Sequence, residues 1–169
     1  MDIKAHARKS LETSRWLMES IIETLKDDDW FYQAHDKANH PLWIIGHLAL
    51  ADNMFGSQFR EDKASKPDGW DDLFWFGSEL KERSAYPAVD EVLAYFRDRR
   101  EMFLAVLDDV TEEELAAPAP PEGAGSPIAG APCIGHLFLF AGVHEAVHFG
   151  QLTVAHRGLG NPPLFTPGG

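Results

Sequence analysis

Two histidines four residues apart, in the segment His144-Glu145-Ala146-Val147-His148, are the residues of this chain best spaced for chemistry. On a helix that spacing stacks both imidazoles on one face about 6 Å apart, as two ligands of one metal ion require. The run from Ile134 to Ala155 contains no proline and brings apolar residues round at every third or fourth position, so it is expected to be helical. Two ligands alone make a weak site. The third is expected at His47, the one other histidine flanked on both sides by an apolar run, Leu42 to Leu50. Three unpartnered imidazoles in one apolar interior would be costly to desolvate, which favours convergence on an ion over three separate packing roles.

Gln151 returns to within about 20° of His144 around the helix and is expected on the same stripe. There it would orient a ligand, touch a bound substrate, or hydrogen-bond a neighbouring helix. Glu145, offset by about 100°, is expected either near the metal or paired with a cation on an adjacent helix. Trp43, one turn before His47, is placed to wall the pocket or to serve as core. Three neutral histidines with no evident fourth protein ligand leave a position open to water or substrate, the pattern of a catalytic rather than a structural site. Imidazole suits zinc, nickel, iron and copper alike, so the ligand set does not name the metal. Cys133 stands about 16 Å up the helix axis from His144 and is excluded from the same coordination sphere. His6, His35, His136 and His156 are expected as surface or capping residues.

The letters HEAVH also match the H-E-x-x-H pattern of zinc hydrolases, in which Glu145 would act as base. No Asp or Glu follows Glu145, however, and Gln151 and Val154 stand where the extended motif needs a glycine and a histidine. No strand pattern is available to align a peptide.

With 27 acidic against 15 basic residues, the formal charge is −12, which disfavours nucleic acid and anionic lipid as partners. One cysteine excludes an internal disulfide framework. The opening Met1-Asp2-Ile3-Lys4 shows no signal-peptide pattern, and no run is apolar for the roughly 18 residues of a membrane span. The expectation is a soluble cytoplasmic protein. A length of 169 residues fits one domain, 1–169, that can bury a core without needing a metal to fold.

Apolar spacing predicts helices over 2–26, capped by Asp2, over 41–59, with Pro41 at the first position behind His40, and over 88–109. Within the third, Arg97-Asp98-Arg99-Arg100-Glu101 reads as a solvated face. Thr111 and Glu114 form a capping box on a short turn. The stretch 116–132, rich in Pro, Ala and Gly, is irregular, and 161–165 is an extended tail. The connection 61–87 carries Trp70, Phe74, Trp75 and Phe76, expected as a lid, an interface patch, or a plug for one end of the core. Four long helices without strands indicate an all-α four-helix bundle with ligands projecting inward.

Three segments together, Trp43-Ile44-Ile45-Gly46-His47-Leu48, His144 to Leu152, and Gly160-Asn161-Pro162-Pro163-Leu164-Phe165, resemble the DinB/YfiT-like superfamily across essentially the whole chain. The resemblance implies an up-up-down-down bundle, commonly a homodimer, with a divalent metal, often nickel or zinc, on His47, His144 and His148. Phe149 stands where an arginine is frequent. Some members of that superfamily are transferases or isomerases using low-molecular-weight thiols such as mycothiol or bacillithiol. The expected function is a metal-dependent enzyme acting on a small molecule, with thiol transfer as its chemistry, since a metal lowers a thiol's pKa. The alternatives are a non-enzymatic metal-binding or stress-response module docking through its aromatic patch, and a zinc hydrolase using Glu145.

Overall fold

The computed structural model describes residues 3–123 and 125–165, in which helices and turns account for all regular structure. Helix α1 (Ile3–Ile22) buries Ala7, Leu11, Ser14, Met18, Ile21 and Ile22 at the spacing of one helical face. It stops short of residue 26, because the chain turns at 23–24 and reaches Asp27, whose φ is 40°. Residues Asp27–Phe31 then form a 3-10 turn that buries Trp30. The capping role expected of Asp2 lies outside the described residues.

Helix α2 (Pro41–Ser57) begins with proline at its first position, and His40 Nδ1 accepts the Trp43 N–H at 3.1 Å. Nearly every residue of α2 is buried, which makes it the central helix. A short α3 (Trp70–Phe74) lies within the aromatic connection, followed by α4 (Val89–Asp109). Helix α5 (Glu112–Ala116) carries the reciprocal Thr111 and Glu114 cap, and α6 (His136–Gly158) is the last.

Helix α2 packs on α4 and α6, and α1 packs on α6. Ser14 meets Glu145, and Thr24 just past α1 meets His156, so α1 and α6 run parallel. Asp52 meets Arg100, and Arg60 just past α2 meets Asp109, so α2 and α4 also run parallel. Phe55 lies against Phe140 and His47 against His148, so these two pairs oppose one another. The order is therefore up-down-down-up, a correction to the expected up-up-down-down. The cause is the connection 58–88, which must return along the bundle before α4 can start at the same end as α2. Its payload is partly core: Trp70 and Phe74 are buried, whereas Phe76 is exposed.

Two apolar clusters fill the bundle. Between them every long helix contributes a polar residue: Ser14 and Arg15 from α1, Asp52 from α2, Arg100 from α4 and Glu145 from α6. Arg99 and Arg100 are buried, against the expectation of a solvated face. Among the described residues no helix is long and apolar enough to cross a membrane.

Candidate metal centre

His47 rises from the middle of α2, and His144 and His148 lie one turn apart on α6, where the antiparallel crossing brings all three together. The His47 and His144 Nε2 atoms are 3.2 Å apart, and those of His148 and His144 are 3.1 Å apart. One nitrogen from each ring falls within 4.8 Å of the others. Two ligands of a tetrahedral zinc ion at about 2.05 Å stand roughly 3.3 Å apart, so the spacing matches a shared cation.

Tautomers decide whether these nitrogens can bind. His47 Nδ1 lies 3.0 Å from the Phe74 carbonyl oxygen, which can only accept, so Nδ1 carries the proton and Nε2 presents a lone pair. His148 Nδ1 lies 2.9 Å from Gln151 Oε1 and is fixed in the same way. A single proton on His144 Nε2 could satisfy only one of these neighbours at a time, whereas a cation satisfies all three. Burial and the neighbouring His148 pull the His47 pKa down to about 4. Burial, with His148 and His47 beside it, takes His144 to about 3, and burial lowers His148 as well. All three are therefore neutral at pH 7, the form that binds metal.

The surroundings hold these rings in place. The His47 ring stacks on Trp43 at 4.9 Å and 9°, and that of His144 stacks on Phe140 at 5.6 Å and 14°. Trp43 is both core and pocket wall, and its Nε1–H donates to Ser78 Oγ at 2.8 Å. Trp75 approaches His47 with ring centroids 6.4 Å apart, so the aromatic connection reaches the site itself. Gly46 lets the Phe74 ring pack directly on α2, since a Cβ there would lie 2.4 Å from Phe74 Cδ1.

Glu145 does not face the three histidines. It is fully buried, with Oε1 accepting from Arg15 Nε at 2.7 Å and Oε2 paired with Arg100 Nη1 at 2.9 Å and hydrogen-bonded by the Ser14 hydroxyl. Asp52 closes the network, accepting from Arg100 Nε at 2.8 Å and Arg15 Nη2 at 3.1 Å. With both oxygens occupied by cations, the carboxylate takes the cation-paired placement, one of the two expected of it, rather than one beside the histidines. Cys133 stays outside the group, its Sγ 3.7 Å from His136 Nδ1. His156, expected at the surface, is buried between Thr24 Oγ1 at 3.0 Å and the Pro162 carbonyl at 2.8 Å.

Sequence spacing found the three histidines but missed the Phe74 carbonyl, which no pattern signals, and the Arg15–Arg100–Asp52–Glu145 network. One signal was available for the network: Asp52 is the only charged residue in the otherwise apolar α2. No curated protein and no solved structure matches this chain. A family model does match, the DinB superfamily over residues 10–152, and with its bundle and three-histidine cluster the chain belongs to the DinB superfamily.

Proposed function

We propose that this chain is a metal-dependent enzyme acting on a small molecule, with His47, His144 and His148 holding a divalent transition ion, nickel or zinc, and a low-molecular-weight thiol as co-substrate. The observation that carries the reading is the convergence of the three Nε2 atoms, with no fourth His, Cys, Asp or Glu joining the group among the described residues. A divalent ion bound there supplies Lewis acidity and lowers the pKa of a coordinated thiol. Held by three neutral histidines, such an ion would keep its double charge uncompensated, which would favour an anionic partner such as a thiolate.

The chain's own residues do the positioning. Phe74 and Gln151 fix the imidazole tautomers, and Trp43, Phe140 and Phe55 surround the rings with apolar surface that limits water. Trp75 also lines a cleft of about 600 Å³ with Leu50, Met54, Lys66 and Asp71, which lies beside the three histidines and is not lined by them. Gln151 acts here as a positioning residue through His148, and Glu145 has no part in proton transfer.

Cobalt substitution tests the reading. A small thiol added to the cobalt-loaded protein is expected to produce an intense sulfur-to-cobalt charge-transfer band in the near ultraviolet. Gln151→Ala should weaken thiol affinity more than it shifts the band. An unchanged spectrum at saturating thiol would overturn thiol chemistry for the thiols tested.

A further inference from the structure

Leu50, Asn53, Met54 and Ser57 stand at the three-and-four spacing of a single face of α2, and together they floor the cleft that Trp75 walls. His47 is the preceding member of that stripe, one turn before Leu50, so the floor runs on from the three histidines along the helix. Asn53 is a buried polar residue on this floor, 7% exposed. Its Oδ1 accepts two hydrogen bonds, from the Ser65 N–H at 2.9 Å and from Arg99 Nη1 at 3.2 Å. Two donors on one oxygen fix which way the amide is turned, and its amino group is left as the end open to the cleft. That group makes no hydrogen bond among the described residues. Holding Ser65 and Arg99 does not by itself call for this side chain. An aspartate would accept the same two bonds and pair more strongly with the guanidinium. What asparagine adds is a pair of N–H donors. Arg99, itself buried and donating to the Lys63 carbonyl at 3.0 Å, draws density from the amide oxygen and strengthens those donors.

We infer that this cleft binds the electrophilic co-substrate, an uncharged flat molecule whose carbonyl oxygen accepts from Asn53 Nδ2 and whose ring lies against Trp75, Leu50 and Met54. The inference rests on the proposed enzyme reading in taking the three histidines as the reacting end. Trp75 is 37% exposed and so offers a ring face to a ligand, and its centroid is 6.4 Å from that of His47. Asn53 lies about 9 Å along the α2 axis from His47, so a molecule anchored by its oxygen extends its other end toward the histidines. Charge selects a neutral ligand. Lys66, the cation lining the cleft, is paired with Asp71, and a chain of formal charge −12 repels an anion. The donors select an oxygen-bearing one, because an apolar molecule seated there would strip water from Asn53 Nδ2 and give it no acceptor in return.

Nitrogen-15 NMR titration of the full chain in chelator tests the cleft apart from any metal, with three probes of similar shape: acetophenone, ethylbenzene, which lacks the oxygen, and benzoate, which carries a charge. Acetophenone is expected to shift the Asn53 side-chain amide and the Trp75 indole saturably and to bind roughly tenfold tighter than ethylbenzene. Asn53→Asp keeps both bonds to Ser65 and Arg99 and removes the donors, so it should erase that preference with an unaltered circular dichroism spectrum. Trp75→Leu, at the exposed wall, should weaken both neutral probes alike. Equal affinity for acetophenone and ethylbenzene, a preference that survives Asn53→Asp, or benzoate binding tighter than acetophenone would each overturn the inference. Metal uptake is measured separately by elemental analysis, so failure of the metal reading and failure of this one are told apart.

Discussion

The His47 imidazole and the Phe74 carbonyl, 27 residues apart in the chain, are joined by a 3.0 Å hydrogen bond that fixes which nitrogen of the ring is free to bind metal. The aromatic connection is therefore more than a plug for the core. Its backbone selects the tautomer of His47, and its Trp75 side chain sits beside the same ring. Loss of an orienting group of this kind typically costs about ten- to a hundredfold in metal affinity.

The purified protein is expected to hold about one divalent transition ion per chain. His47→Ala and the His144→Ala, His148→Ala double variant should lose it. Elemental analysis decides the matter, and equal metal in wild type and variants would remove the assignment.

Folding should not depend on that ion, because two apolar clusters support the bundle without it. After chelation, circular dichroism is expected to remain helical. Added metal at a hundred times its dissociation constant should stabilise the fold by about 2.7 kcal/mol. An apo protein that unfolds would make the site structural.

Gly46→Ala is expected to weaken metal binding by roughly ten- to a hundredfold without touching a ligand. The new Cβ collides with the Phe74 ring and must displace the carbonyl that orients His47. Metal titration of this variant against Gly56→Ala, which crowds Met102 at a distance from the site, separates the effect from general destabilisation.

Glu145→Ala should cost about 3–5 kcal/mol of stability, since it leaves two buried guanidiniums, Arg15 and Arg100, sharing the single carboxylate of Asp52. Urea unfolding measures this. If the variant keeps wild-type stability and loses only activity, the carboxylate is a catalytic group after all.

Acid should destabilise the apo protein through its buried histidines. His40, whose ring is packed against Phe31 and Tyr86, has its pKa lowered by burial from 6.5 to about 4. Between those values the unfolded chain binds a proton that the native state refuses, so stability falls as pH drops through this window. For His40 alone the loss is on the order of 3 kcal/mol. Unfolding in chelator at several pH values should show the slope, and His40→Asn, which can still cap α2, should flatten it.

Spacing along the chain was enough to determine the four long helices, the caps at His40 and Thr111 and the three histidines, because those depend on the period of a helix and on which runs are apolar. His144 and His148 are neighbours by geometry alone, and the apolar flanks of His47 foretold its burial. The family was legible in those same segments. What tertiary structure decided was everything that rests on contacts between distant segments. The direction of the helices depended on how the connection 58–88 travels, which local propensity does not encode. Glu145 sits one residue from His144, yet the helix turns it about 100° away, into the reach of Arg15 and Arg100. Arg99 and Arg100 read as solvated because charge normally seeks water, and acceptors brought from elsewhere in the fold, among them Asp52, Asn53, Glu145 and the Leu11 and Lys63 carbonyls, make their burial tolerable.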